Sequence, residues 1–158
     1  MSARVTMDRT SLLAIVEASA TLGAIETELA KEGLTIGLTP GTPTDVTLGK
    51  WLDEGAVGAP DPWSDPADHL VAGIEAVLHD GLRLDVRPAP RRAVGPDLIA
   101  LVVGMRGRFA KIERAWLRVH RLDARRPTTH AFEGARNPPV SAGEQHLIDA
   151  IAHELLRS

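Results

Sequence analysis

The dipeptide Asp80-Gly81, set between two apolar-rich runs, limits what this chain can fold into more than any other feature of it. Asp-Gly is a preferred pair for the two central residues of a tight type I′ turn, both of which need positive φ. Residues 69–78 and 82–86 are therefore expected to pair as an antiparallel hairpin, with Leu70, Ala72, Ile74, Ala76 and Leu78 on one face. Because a lone hairpin is marginal in water, other segments must add strands and cover its apolar side.

Those segments are readable in turn. Residues 12–16 form a short β-type run, and Thr21 is placed to cap a helix from Leu22 to about Lys31. Leu22, Ile25, Leu29 and Ala30 line one side of that helix, Glu26, Glu28 and Lys31 the other, and Gly33 falls where a left-handed residue ends a helix. A brief strand is expected over 34–38, then a loop at Pro40, Gly41 and Pro43, then a short helix near 46–53. The stretch 55–68, rich in Gly, Pro and Asp and holding Trp63, reads as a surface loop, as does 88–92. Pro96 opens a short buried helix carrying Leu98, Ala100, Leu101 and Val103 up to Gly104. The run 112–122 fits a strand period and a helix period equally well. Residues 128–132 form a weaker strand candidate. Ser141 and Glu144 make a capping box for a final helix whose stripe is Leu147, Ile148, Ile151, Ala152 and Leu155. At 158 residues and 44% hydrophobic content the chain is long enough for one core. The expected division is a domain over 1–137, with 138–158 as an amphipathic helix packed on it or on a partner.

Composition removes several function classes. With no cysteine there is no disulfide, Fe–S cluster or thiol chemistry, and no segment has the length and apolarity of a signal h-region or membrane span. The expectation is a cytoplasmic protein that does not enter a membrane. His146, Asp149 and His153 share a helix stripe but lack the paired-histidine spacing of a zinc helix, so they read as a solvated face and no metal is expected. No serine sits in a GxSxG context, and Asp53-Glu54, being sequential, diverge on a helix. No catalytic residue is nominated. The GXXG match at Gly104–Gly107, followed by Arg108 and by Arg114, Trp116 and Arg118, offers a nucleic-acid-binding module as an alternative. It is the weaker reading because the net charge is −3, divided as −9 over residues 1–81 and +6 over 82–158. The two halves either polarise the molecule or interleave within one globule.

Three stretches carry a resemblance. TLGAIETELAKEGLTIGLTPGTPTDVTLGK (21–50), HLVAGIEAVLHDGLRL (69–84) and the frame of Gly95, Pro96, Asp97, Leu98, Gly104, Gly107, Ile112, Ala115, Leu117 and Arg118 are similar to the second half of a flavin domain. The family is that of FAD-linked oxidases of the vanillyl-alcohol oxidase and p-cresol methylhydroxylase type, particularly its glycolate oxidase and alkyldihydroxyacetonephosphate synthase branches. The resemblance implies an α+β fold, a mixed, mainly antiparallel sheet with helices packed on one side, and it makes 112–122 a strand. On that strand Arg114, Trp116, Arg118 and His120 would share the face opposite the core.

If FAD is retained, the resemblance places Pro40, Gly41, Thr47, Leu48, Gly49, Gly95, Gly104, Gly107 and Ile112 beside it. The contact letters, however, depart from the family pattern. TLGG reads Thr47-Leu48-Gly49-Lys50, and GSEGTLG reads GMRGRFA over 104–110. Nothing in residues 1–20 resembles the Gly-rich loop that cradles the FAD pyrophosphate with converging N–H groups. The leading expectation is thus a non-catalytic protein-binding or assembly module that has lost FAD. Its partner would be another protein chain or a second copy, met through Lys50, Arg106, Arg108, Arg114, Trp116 and Arg118, which are also the candidates for binding an anion. The alternative is an FAD-binding component of a glycolate-oxidase-type oxidoreductase, completed by a separate chain.

Overall fold

A computed structural model describes residues 5–59, 69–88 and 98–124. Its strands are β1 (Val5–Asp8), β2 (Leu13–Glu17), β3 (Leu34–Thr35), β4 (Val71–Leu78), β5 (Arg83–Val86), β6 (Ala110–Arg118) and β7 (His120–Arg121), and its helices are α1 (Leu22–Ala30) and α2 (Leu48–Asp53). The hairpin forms as β4–β5, with Val77 opposite Arg83. Its turn differs from the expected one. Gly81 has φ +88, but Asp80 is not among the residues with positive φ, and the Gly81 N–H donates to Leu78 O while Leu78 N–H donates to Leu82 O. This is a three-residue loop with glycine in the left-handed position, the next most favoured solution after the two-residue turn.

Five strands join in the order β1-β2-β6-β4-β5, all antiparallel, so the long β6 is central and pairs with β2 on one side and β4 on the other. A second, two-stranded sheet pairs β3 with β7. The core lies between one face of the large sheet and the two helices. Leu22, Ile25 and Leu29 of α1, Leu48 and Leu52 of α2, and Val16, Ile74 and Leu117 of the sheet are fully buried in it. Burying each such side chain stabilises the fold by roughly 1.5–3 kcal/mol before entropy is counted. The fold is α+β with a mainly antiparallel sheet, as the resemblance implied.

Helix α1 follows its sequence closely. Thr21 caps it with Oγ1 accepting from Ala24 N–H, and Gly33 ends it at φ +69 with its N–H on Ala30 O. The strand expected over 34–38 is cut to two residues. Glu26 reaches across from α1, accepts the Thr35 hydroxyl at 2.9 Å, and takes the Ile36 N–H at 3.0 Å, so that N–H is lost to a ladder. The helix expected before Gly104 is reduced to turns, Val102 N–H and Val103 N–H both reaching Ile99 O. Gly104, at φ +82 and bonded to Leu52 O, redirects the chain there. Strand β1 has no counterpart in the sequence reading, because Val5-Thr6-Met7-Asp8 is too short and polar to register as a pattern. What marks it is Asp8, whose Oδ1 accepts from Thr10 and Ser11 N–H and closes the β1–β2 turn.

Two bulges break the strict alternation. Ala72 is the extra residue between Val71 and Gly73 on β4, so Val71 joins the core along with Leu70 and Ala72. On β6, Ile112 faces Ala76 and Arg114 faces Glu75, leaving Glu113 without a cross-strand partner on β4. After Val119, whose N–H donates to Leu12 O, the chain leaves the large sheet, so His120 pairs with Thr35 instead of sharing a face with Arg114. Among the described residues no helix is long and apolar enough to cross a membrane. Trp63, Gly95, Pro96, the strand candidate at 128–132 and the capping box and stripe of 138–158 lie outside the described residues.

Gly73 is fixed by space. A Cβ there would stand 2.6 Å from Val86 O and 2.9 Å from Pro88 Cδ. Gly73→Ala is expected to push β5 away from β4 and lower stability by roughly 1–3 kcal/mol, as overpacking does. The urea midpoint, at unchanged m-value, measures it.

Candidate functional site

The candidate site is a cavity of about 580 Å³ where the end of β2, the start of α2 and the β6 bulge meet. Its lining includes Glu17 at the end of β2 and Ser19 after it, the N-cap Thr47, Gly49, Lys50 and Asp53 on α2, and Lys111, Ile112, Glu113 and Arg114 on β6. The bulge makes this corner. It turns Glu113 and Arg114 outward in succession, and the Glu113 carbonyl accepts the Ala18 N–H at 2.9 Å, which fastens β2 to β6.

Helix α2 is held to that corner through its first turn. The Leu48 N–H donates to Ala20 O and the Gly49 N–H to Ala18 O, both at 2.8 Å, while Thr47 Oγ1 accepts the Lys50 N–H as an N-cap. A Cβ on Gly49 would lie 3.1 Å from Ala18 Cβ and 3.3 Å from Ala18 O, so this glycine permits the close approach of helix to strand. The 104–108 loop sits on the other end of α2. Gly104 N–H donates to Leu52 O, Arg106 N–H to Asp53 O, and the Gly104 backbone packs against Gly55. Arg106 adopts φ +54 to make that bond, and His79 Nε2 lies 3.1 Å from Gly107 O, joining the loop to the hairpin turn.

Of the residues named from sequence, Thr47, Gly49, Lys50, Ile112 and Arg114 come together on this cavity. Leu48 does not face it, being fully buried in the core. Pro40 and Gly41 are exposed and outside its lining, and Gly104, Gly107, Arg106 and Arg108 belong to the adjoining loop. Trp116 corrects the exposed-platform reading. It lies on the outer sheet face but is only 6% exposed, with the Arg87 guanidinium 5.0 Å from its ring centroid, and Arg118 is half-buried. A base has no open ring there on which to stack. Sequence reasoning missed Glu17, Ser19, Asp53, Lys111 and Glu113. The one available signal was Glu113-Arg114, two adjacent charges inside an alternating strand.

The donor set decides how the corner suits a dinucleotide. A pyrophosphate cradle needs several backbone N–H groups that are free and converge. Here those of Leu48, Gly49, Lys50, Gly104, Arg106 and Arg108 already donate to protein oxygens. Asp53 Oδ1 is closed to solvent with no hydrogen-bond partner, and Glu17 and Glu113 add carboxylates to the lining. This wall does not fit a diphosphate.

Desolvation, with Glu54 adding to it, holds the Asp53 carboxyl above the usual carboxylate range. A raised pKa means that the folded state binds the proton more tightly than the unfolded chain. That contribution is whole below the unfolded value and disappears as pH rises through the folded one. Asp53→Asn is therefore expected to stabilise the protein at neutral pH, with the advantage vanishing once pH falls below the ordinary carboxylate range. Thermal melts of the two proteins across that interval measure the change.

A family model described as "FAD binding domain" matches residues 1–87, more than half of the chain. The uncharacterised FAD-linked oxidoreductase YgcU of Escherichia coli, in strain K12 and in O157:H7, is 25% identical over 134 residues, which is 85% of this chain. The match covers 27% of that relative, so the chain spans about a quarter of its length. Alkyldihydroxyacetonephosphate synthase, solved in two crystal forms, superposes with TM-scores of 0.62 and 0.60 at 21% and 22% identity. Each superposition covers 76% of this chain, and 21% and 22% of the respective synthase chains. The synthases share the fold, and with the family model spanning β1 through β5, this chain belongs to the FAD-binding domain family of oxidoreductases.

Proposed function

We propose that the chain is a non-catalytic binding or assembly module of this family, working in the cytoplasm, in which the wall that would meet FAD no longer holds it. The observation that carries the reading is the engagement of the α2 and loop N–H groups by protein oxygens. Losing two or three charge-assisted hydrogen bonds of about 1.5–3 kcal/mol each weakens a ligand by very roughly two to six decades. The frame glycines have work of their own, since Gly49 seats α2 on Ala18 and Gly104 seats the loop on Gly55. The partner is another protein chain or a second copy.

A second reading is favoured by one observation, that Thr47, Gly49 and Ile112 meet on a single cavity wall. In that reading the chain is one wall of an FAD site in an oxidoreductase, and a separate protein surface supplies the diphosphate contacts. Native mass measurement together with a visible spectrum on the same peak separates the two. The module is expected to run colourless and to stay so after incubation with FAD and gel filtration. A yellow peak that keeps its flavin overturns it.

A further inference from the structure

Among the described residues, some cations are paired with carboxylates and others are not. Arg9, Lys31, Arg83, Arg87 and Arg114 each lie against a carboxylate, of Glu32, Glu28, Glu113, Asp85 and Glu75 respectively. Lys50, Lys111, Arg106 and Arg121 are exposed and have no carboxylate partner among the described residues. Arg121 stands apart on β7, in the groove at the α1 end, and the other three lie around the α2–β6 corner. Lys50 and Lys111 line the α2–β6 cavity, and Arg106 is anchored by its N–H to the carbonyl of Asp53, another lining residue. Glu113 and Arg114, also in the lining, are engaged with Arg83 and Glu75. Glu17, in the same lining, stands opposite Arg114 in the β2–β6 register, and Asp53 keeps its Oδ1 closed to solvent.

We infer that the rim formed by Lys50, Lys111 and Arg106 is a docking surface for an acidic peptide segment of a partner protein. This deepens the binding-module reading and rests on it. Three separate side chains on a rigid frame match carboxylates spaced along an extended segment, whereas a compact diphosphate needs converging donors that this wall lacks. The protein's net charge of −3 works against nonspecific attraction of acidic peptides, so binding must come from this local excess.

The test is fluorescence polarisation of labelled hexaglutamate with the intact protein at low salt. Binding is expected, weakening as salt is raised past the point where the Debye length falls to about 8 Å. The variant Lys50→Glu/Lys111→Glu/Arg106→Glu should lose affinity by at least about tenfold. Arg121→Glu, which reverses an exposed charge lining the groove between the α1 end and β7, should change it little. Circular dichroism confirms that both variants are folded. If hexaglutamate does not bind, or if Arg121→Glu weakens it as much as the triple variant does, the docking surface is refuted. Inorganic phosphate displacing the peptide at equal charge concentration refutes it too, since that outcome marks a small-anion site. An FAD titration in the same buffer stands apart: retained flavin overturns the module reading, whereas a colourless protein that ignores hexaglutamate overturns only this inference.

Discussion

The contact on which the rest of the structure depends is the docking of the α2 first turn onto the end of β2. Two backbone N–H groups, of Leu48 and Gly49, donate to the carbonyls of Ala20 and Ala18. A helix start leaves about four N–H groups without intrahelical acceptors, and buried ones must find partners elsewhere. Here the strand's exit supplies them. The same geometry brings Leu48 and Leu52 onto the sheet, and it leaves Thr47 free to cap through Lys50. Once α2 is fixed, its last carbonyls, of Leu52 and Asp53, become the acceptors for the 104–108 loop, so the loop inherits its position from the helix.

That chain of dependence recasts what the glycines are for. A glycine in such a frame invites the interpretation that it lets a ligand approach the backbone. At Gly49 the approaching group is Ala18, and at Gly104 it is Gly55. Both are internal contacts, and the N–H groups of both glycines donate to protein carbonyls, of Ala18 and Leu52. A fold can therefore keep the glycines of a nucleotide-binding frame for reasons of packing alone. The signature then persists in the sequence whether or not the ligand does.

The elements that local chemistry decides were legible: the 80–81 turn region, the Thr21 cap, the Gly33 stop and the run that became β2. What escaped depends on partners distant in sequence. The strand beginning at Leu34 ends early because a carboxylate ten residues back, Glu26, takes the Ile36 N–H. The period of 112–122 was ambiguous because a bulge at Glu113 and an exit at Val119 sit inside one apparent alternation. The site was half visible. Thr47, Gly49, Lys50 and Ile112 could be named from resemblance, whereas Lys111, Glu17 and Glu113 enter only through the pairing of β2 with β6 and the bulge in it. Trp116 was placed on the correct face with the wrong exposure, since Arg87 arrives over it from β5's end, 29 residues earlier in the chain.

The opposite charges of the two halves of the chain follow from the strand order. β4 from the acidic half lies between β6 and β5 from the basic half, and β2 lies on the other side of β6. Glu75 is thereby flanked by Arg114 and Arg87, and Glu17 stands opposite Arg114 in the β2–β6 register. Cross-strand opposite charges favour this register over alternatives by a few tenths to about 1 kcal/mol each. The polarity seen along the sequence is thus largely dissolved by the fold, and it helps to specify the order of the strands. At the α2 corner the compensation is incomplete, although Glu17, Asp53 and Glu113 line it. Lys111 faces Val77, an apolar residue, so the strand pairing leaves its charge unmatched and the chemistry of that corner follows from the sheet's own register.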